Sequence, residues 1–442
     1  MANSYLNRTP SGDGNKRTFT FSTWLKISTI KEHMFFTCGV YSSTSLMQFY
    51  LNANGTLTMS QETSGGSIQS TLTTTQVFRD TSAWYHLVIA IDTTQGTASN
   101  RLKLYVNGTQ VTSFSTETYP SQNTDFACNT SGVINTIGNR SGGNFYFDGY
   151  MSHVALVDGQ ALAPTVFGLT DSTSGIWKFK APSGVTWGTN GFHLKFENSG
   201  ALGTDSSGNT NTFTVNGNGR QALDTPSNVY ATLNPLHFGT GSTSNTTLTN
   251  GNNTFTSTQG GSPYPYYFST LGNTKGKYYA EFKYSAGVSG DAATVGIGSV
   301  PDSYSGNNSL SWSYYANGNV YNGGSSSSYG NAWNVGSILG VAMDLDNSKL
   351  YFSINGTWQN SGVPTSGSTG TGAKSITANT LYLFEVGDAG GNQPTIQCNF
   401  GNGYFGTTAI TSAGSNGNGS LFEYDVPSGY YALNTKNINT YG

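Results

Sequence analysis

The sequence predicts an all-β protein built as two tandem β-sandwiches, and three observations carry that expectation. Short runs rich in β-branched and aromatic residues, each bounded by Gly, Asn, Ser or Asp, recur from end to end of the 442 residues. No window of a dozen residues holds an apolar stripe at i, i+3, i+4 and i+7, the spacing an amphipathic helix needs. One piece of strand-turn-strand grammar also occurs twice, far apart in the chain.

In the first half, Trp84-Tyr-His-Leu-Val-Ile-Ala-Ile-Asp92 reads as a buried strand and Arg101-Leu-Lys-Leu-Tyr-Val106 as its partner, ending at Asn107-Gly108. Asn-Gly favours a type I′ hairpin, because both central residues must take positive φ. The pattern returns as Ile338-Leu-Gly-Val-Ala-Met-Asp344, a turn at Asp346-Asn347, Lys349-Leu-Tyr-Phe-Ser-Ile354 and then Asn355-Gly356. The first sandwich is expected over residues 1–165, closing near Pro164. Residues 166–238 form a connecting segment. Its runs Ile176-Trp-Lys-Phe179, Phe192-His-Leu-Lys-Phe196 and Phe213-Thr-Val215 alternate as strands do, so it is expected to pack on the first sandwich. The second sandwich takes residues 239–442. It opens with a Gly/Ser/Thr/Asn-rich stretch, 239–261, that reads as a loop or a decorated edge, and it carries a long Gly/Ser/Thr-rich loop from Asn360 through Gly372.

Composition narrows the partners. Only 9% of residues are charged, against about 25% in ordinary domains, while 13% are aromatic and 58 are glycine. A net charge of −3 leaves no footprint for a phosphate backbone, so nucleic acid is not an expected partner. No run of 18 apolar residues occurs, and the polar N-terminus lacks the basic-then-apolar order of a secretory signal, so neither membrane insertion nor signal-directed export is expected. Cys38, Cys128 and Cys398 show no metal spacing and read as small buried hydrophobes.

The strands Phe19-Thr-Phe-Ser-Thr-Trp-Leu-Lys26, Trp84-Tyr-His-Leu-Val88, Leu104-Tyr-Val-Asn-Gly108 and Phe147-Asp-Gly-Tyr150 resemble those of laminin-G/pentraxin-type concanavalin A-like lectin domains. Lys277-Tyr-Tyr-Ala-Glu-Phe-Lys283, Val295-Gly-Ile-Gly298, Val320-Tyr-Asn-Gly323, Asp344-Leu-Asp-Asn-Ser-Lys-Leu-Tyr-Phe352 and Ile354-Asn-Gly356 resemble a SPRY domain. Both resemblances imply jelly-roll sandwiches, so the fold class reads as all-β, two tandem concanavalin A-like jelly-roll β-sandwiches. The pairing, with the intervening Gly191-Phe-His-Leu-Lys-Phe196, Asp205-Ser-Ser-Gly-Asn209 and Asp224-Thr-Pro-Ser-Asn228, is similar to virion proteins of bacteriophages that infect marine bacteria. That resemblance implies a fibre or receptor-binding role on the outside of a virion, with host-surface carbohydrate and other virion proteins as partners. A homo-oligomer is expected from edge strands poor in charge, and a trimer from the resemblance.

The search for chemistry returns little. Retaining glycosidases need two carboxyls about 5 Å apart, which related sandwiches supply as Glu-x-Asp-x-x-Glu on one strand; Asp344 and Asp346 alternate without a third acid and read as a turn. No G-x-S-x-G elbow accompanies the abundant serines. Of the five histidines, His86 and His193 sit in apolar strand runs as packing residues, and His153 alone is kept as a candidate base. Gly401-Asn-Gly-Tyr-Phe-Gly406 fits a dinucleotide pattern but opens no helix. No catalytic residue is assigned, and a non-enzyme is expected.

The laminin-G resemblance implies a possible Ca2+ site at a loop rim, but Ser152-His153 stand where that family has its acid. Asp148, Asp158, Asn139 and Asn144 are left as candidate ligands. For carbohydrate, aromatic rings in polar loops are the expected contacts: Tyr329 and Trp333 first, then Tyr314, Tyr315, Tyr264 and Tyr266. Two other readings stay open. One is a capsid-attached fibre or decoration protein contacting other virion subunits. The other is a polysaccharide depolymerase, which would have to assemble a dyad from Glu62, Glu197, Glu281 and Glu385.

Overall fold

The computed structural model describes every residue except 1–2, 142, 144, 241–243, 259–261, 263, 289–292 and 392. The chain divides into two compact units, Met1–Gln221 and Ala222–Gly442.

In the first unit, an eight-stranded antiparallel sheet runs in the order Phe114–Thr118, Ile68–Val77, Thr56–Glu62, Leu46–Leu51, His33–Cys38, Asn135–Ile137, Tyr5–Arg8, Thr214–Asn216. A six-stranded sheet packs on it in the order Phe192–Leu194, Gly149–Asp158, Thr18–Ile27, Tyr85–Asp92, Leu102–Val106, Thr109–Gln110. Period-two alternation decides which side chains meet. Phe19, Phe21 and Leu25 point inward from one sheet and Phe36, Met47, Phe49 and Met59 from the other. Phe21 stacks on Phe36 at 4.3 Å and meets Phe49 edge-on. The hairpin ends as its sequence predicts, with Asn107 at φ 47° and Gly108 at φ 81°. Cys38 and Cys128 are buried and free, and burial pushes the Cys38 thiol well up.

The connecting segment does not hold together as one piece. Residues 166–221 fall in the first unit: Phe192–Leu194 pairs with Gly149–Asp158, and Thr214–Asn216 pairs with Tyr5–Arg8. The hairpin of Gly168–Thr170 and Trp177–Phe179 adds to the cover of the six-stranded sheet, and Phe167 packs there with Val88, Ala155 and Val157. Residues 222–238 belong to the second unit, which moves the boundary from 238 to 221. The reason is burial: Tyr230, Ala231 and Leu233 enter that unit's cores, and Leu233–Phe238 pairs with Tyr266–Asn273.

The second unit is again two sheets. Seven strands run Leu233–Phe238, Tyr266–Asn273, Tyr382–Asp388, Ala293–Gly298, Ser311–Tyr315, Asn319–Asn322, Ser325–Ser328. The other sheet centres on Lys277–Ala286, Ile338–Asp344 and Lys349–Ile354. Within the stretch expected as a loop or a decorated edge, Thr246–Thr249 and Thr254–Ser257 form an edge hairpin that pairs with Thr395–Asn399. Asn355 and Gly356 repeat the positive-φ turn at 48° and 78°. The short helix Thr435–Tyr441 closes the chain, with the Asn434 side chain capping the amide of Asn437.

The C-terminal segment is held by one buried carboxylate. Glu281 accepts from the amides of Glu423 and Tyr424, each at 2.8 Å, and from the Tyr279 hydroxyl at 3.2 Å and Asn399 Nδ2 at 3.3 Å. Burial raises its pKa from 4.5 to about 7, with those donors acting the other way. Folding therefore favours the protonated form. The contribution is present in full below about pH 4.5 and is lost as pH rises through about 7. Urea melts followed by fluorescence are expected to show the second unit losing stability between pH 5 and 8, by at most about 1.4 kcal/mol per pH unit. Glu281→Gln is expected to reduce that slope, leaving the share of the buried Glu385 in the same unit, whose pKa is also raised; an unchanged slope would assign the pH dependence to groups other than Glu281.

Candidate functional site

Outward-facing side chains of the eight-stranded sheet form the candidate site. Leu46-Met-Gln-Phe-Tyr-Leu51 turns Met47, Phe49 and Leu51 into the core and Gln48 and Tyr50 out; Thr56-Leu-Thr-Met-Ser60 does the same with Thr58 and Ser60. The register then lines up Asn7, Thr136, Thr37, Gln48, Ser60 and Thr71 on neighbouring strands. At about 4.8 Å between strands the row is about 24 Å long. A loop after Ile137 leans over it, since Thr37 Oγ1 donates to the Asn139 carbonyl at 3.1 Å. Arg140 lies between Tyr41 at 4.3 Å and Phe145 at 4.1 Å, and Tyr5 tilts against Tyr146.

The floor of this face is short of partners. Gln48 Nε2 donates to Glu62 at 2.6 Å, but Gln48 Oε1, Ser60 Oγ, Thr136 Oγ1, Asn139 Oδ1 and Arg140 Nε are buried without a hydrogen bond among the described residues. A polar atom left buried and unpaired costs about 1–3 kcal/mol, so a run of them on one sheet stands out in this unit. Tyr50 stands half-buried among them. Burial raises its hydroxyl above the ordinary range; Thr58 acts against that rise, and Glu32 and Glu62 add to it, so Tyr50 stays a protonated donor at neutral pH. A mainly hydroxyl and amide floor with tyrosines at half height matches the polar edges and apolar faces of a sugar chain.

The residues singled out from sequence lie elsewhere, in the second unit and at the ends of one strand. Trp333 is fully buried against Tyr284 and donates to the Ser337 carbonyl at 3.1 Å. Tyr329 packs edge-on to Tyr314 and Phe352 and donates to the Gly372 carbonyl at 2.7 Å. Tyr314 is fully buried and donates to the Asn331 carbonyl. Tyr315 stacks on Tyr321 and donates to the Ser305 carbonyl, while Tyr266 accepts from the Asp302 amide at 2.7 Å. These five are corrected from ligand contacts to packing residues: their ring faces are covered by protein, and small polar neighbours in sequence say nothing about which way a ring turns. Tyr264 is half-buried with its ring against Tyr304.

The expected calcium ligands do not converge either. Asp148 and Asp158 flank the two ends of Gly149–Asp158, roughly 30 Å apart at strand rise. Asp148 pairs with Lys31 at 3.2 Å; Asp158 accepts from the amides of Asn15 and Asn190 and from Asn129 Nδ2. Asn139 belongs to the polar face instead, and Asn144 lies outside the described residues. Among the described residues no three His, Cys, Asp or Glu side chains cluster as metal ligands.

Carboxylates and histidines complete the survey. Glu281 and Glu385 are both buried, on different sheets of the second unit, so they form no dyad. Glu385 accepts from Ser305 at 2.6 Å, Ser311 at 2.8 Å and Ser313, and burial raises its pKa. Glu197 is largely exposed beside Lys195. His86 packs between Trp24 and Trp177, accepting from Trp177 Nε1 at 3.0 Å, and burial lowers its pKa to about 3. His153, the candidate base, has Nδ1 3.3 Å from Nε2 of His193, and burial lowers both rings to about 4.

Two stacked, almost wholly antiparallel sheets in each unit define an all-β sandwich protein. Residues 2–166 match the family model of the concanavalin A-like lectin/glucanases superfamily (Laminin_G_3), and residues 277–373 match that of the SPRY domain. Similar solved structures include the SPRY domain of human HERC1 (16% identity, 38% of this chain and 96% of that one, TM-score 0.29). Also similar are the heptameric SAP-like pentraxin of Limulus polyphemus (14%, 48% and 88%, 0.30) and a human SPRY domain (20%, 33% and 90%, 0.26). No curated protein matches the sequence.

Because Trp333 is a core residue, Trp333→Ala is expected to destabilise the second unit by about 3–5 kcal/mol and to leave any ligand binding by the folded fraction unchanged. Chemical denaturation beside a binding isotherm separates the two, and weakened binding at full stability would return Trp333 to the ligand site.

Proposed function

We propose that the protein is a non-enzymatic glycan-binding protein that engages a neutral polysaccharide along the outer face of its eight-stranded sheet. The observation that carries this reading is the set of unpartnered atoms of Gln48, Ser60, Thr136, Asn139 and Arg140, gathered on one face beside Tyr50 and Tyr41. Sugar hydroxyls both donate and accept, so an extended chain could satisfy such a mixed row strand by strand. Its setting, in this proposal, is the outside of a phage virion, as a fibre or receptor-binding subunit that recognises host-surface carbohydrate; the similarity of the tandem arrangement to marine phage virion proteins supports that setting.

The test is adsorption. Labelled full-length protein is expected to bind susceptible cells, to block infection, and to be displaced by polysaccharide extracted from those cells. Gln48→Ala combined with Tyr50→Ala is expected to weaken binding at least tenfold with an unchanged melting temperature. A folded protein that binds no cells and no extracted polysaccharide would overturn the reading and favour a decoration role on the virion. Release of reducing sugar on mixing would make the face catalytic, with Glu62 the first acid to replace.

A further inference from the structure

We propose that His153 and His193 form a binding site for a divalent transition-metal ion in tetrahedral coordination, Zn2+ above all, on the outer face of the six-stranded sheet. The site starts from a register fault. Gly149–Asp158 pairs with Thr18–Ile27, but the register shifts between Ser152 and Ala155, and His153 sits at φ 49°. Histidine is among the few residues that visit this region, and strained backbone of this kind collects at functional positions. The neighbouring strand Phe192–Leu194 places His193 opposite Ala155, so the bulged His153 comes to face it.

The separation of the two nitrogens argues for a metal. His153 Nδ1 and His193 Nε2 are 3.3 Å apart. The metal-free rings share a hydrogen bond across that gap, with donor and acceptor set by tautomer. Two imidazole nitrogens about 2.0–2.1 Å from one ion, subtending a tetrahedral angle, lie about 3.3–3.4 Å apart. A square-planar ion would draw them to about 2.9 Å. Both rings are also pinned. His153 stacks on Phe179 at 3.7 Å and 15°, and His193 on Trp187 at 5.5 Å and 20°. The aim of each nitrogen is therefore set by packing before any ion arrives.

Only two protein donors converge. No third His, Cys, Asp or Glu joins the pair among the described residues, so water or an incoming ligand fills the remaining positions. His153 is half-buried, which leaves the ion a route in. Lys195 lies near both rings and Asp205 near His193, and the lysine keeps affinity moderate.

The experiment uses untagged full-length protein stripped with chelator and titrated with Zn2+ alone by calorimetry, then with Co2+ followed by visible absorption. The expected result is one Zn2+ per chain with micromolar affinity, intense d–d bands of tetrahedral Co2+, and a melting temperature raised by Zn2+. His193→Ala is expected to weaken binding at least tenfold. His153→Asn is the second variant, because Asn tolerates positive φ and so removes the ligand while keeping the bulge. Failure of the wild type to bind Zn2+ below millimolar concentration, or binding unchanged in folded His153→Asn, would overturn the site.

Discussion

The constraint on which both units depend is that aromatic rings must meet across two stacked sheets. In the first unit Phe21 lies on Phe36 with Phe49 at its edge; in the second, Tyr314, Tyr329 and Phe352 interlock, and Trp333 closes on Tyr284. Rings of this size dominate the apolar area each core removes from water, and a sandwich interior is only about 10 Å thick. The demand is large, and it takes up the aromatics that polar loops seemed to offer for ligand.

Once the inner faces are closed, the outer faces decide what is left for function. On the six-stranded sheet the outer face is covered by the chain itself, with Phe167, Trp177, Phe179 and Trp187 lying over Val88, His86, His153 and His193. The sheet that holds Lys277–Ala286 is covered by the C-terminal segment, fastened at Glu281. On the seven-stranded sheet, the loop that carries Asp302 and Ser305 reaches over Tyr266, Tyr315 and Glu385. On the eight-stranded sheet, Gln48 Oε1, Ser60 Oγ and Thr136 Oγ1, from three of its strands, have no hydrogen-bond partner among the described residues.

The scarcity of charge gives these faces their character. With 41 charged residues in 442, buried polar groups are satisfied mainly by hydroxyls, amides and backbone, as the three serines on Glu385 illustrate. Such contacts respond weakly to salt, and a neutral hydroxyl-rich ligand suits them better than an anionic one.

By itself the sequence determined the fold class, the paired Asn-Gly hairpins and the reading of His86 as a packing residue, because each depends on alternation and turn chemistry within a few neighbouring residues. The packing of Phe192 and Phe213 on the first sandwich was legible for the same reason. The tertiary structure alone decided the boundary at 221, the burial of Trp333 and Tyr329, and the separation of Asp148 from Asp158. It alone brought Gln48, Ser60 and Thr136 into one row and turned His153 toward His193. The alternation that lifts Gln48 and Ser60 outward was visible in the chain. Which strands stand side by side, and in what register, is set by pairings between residues as far apart as Tyr5 and Asn216, and no local pattern encodes that distance.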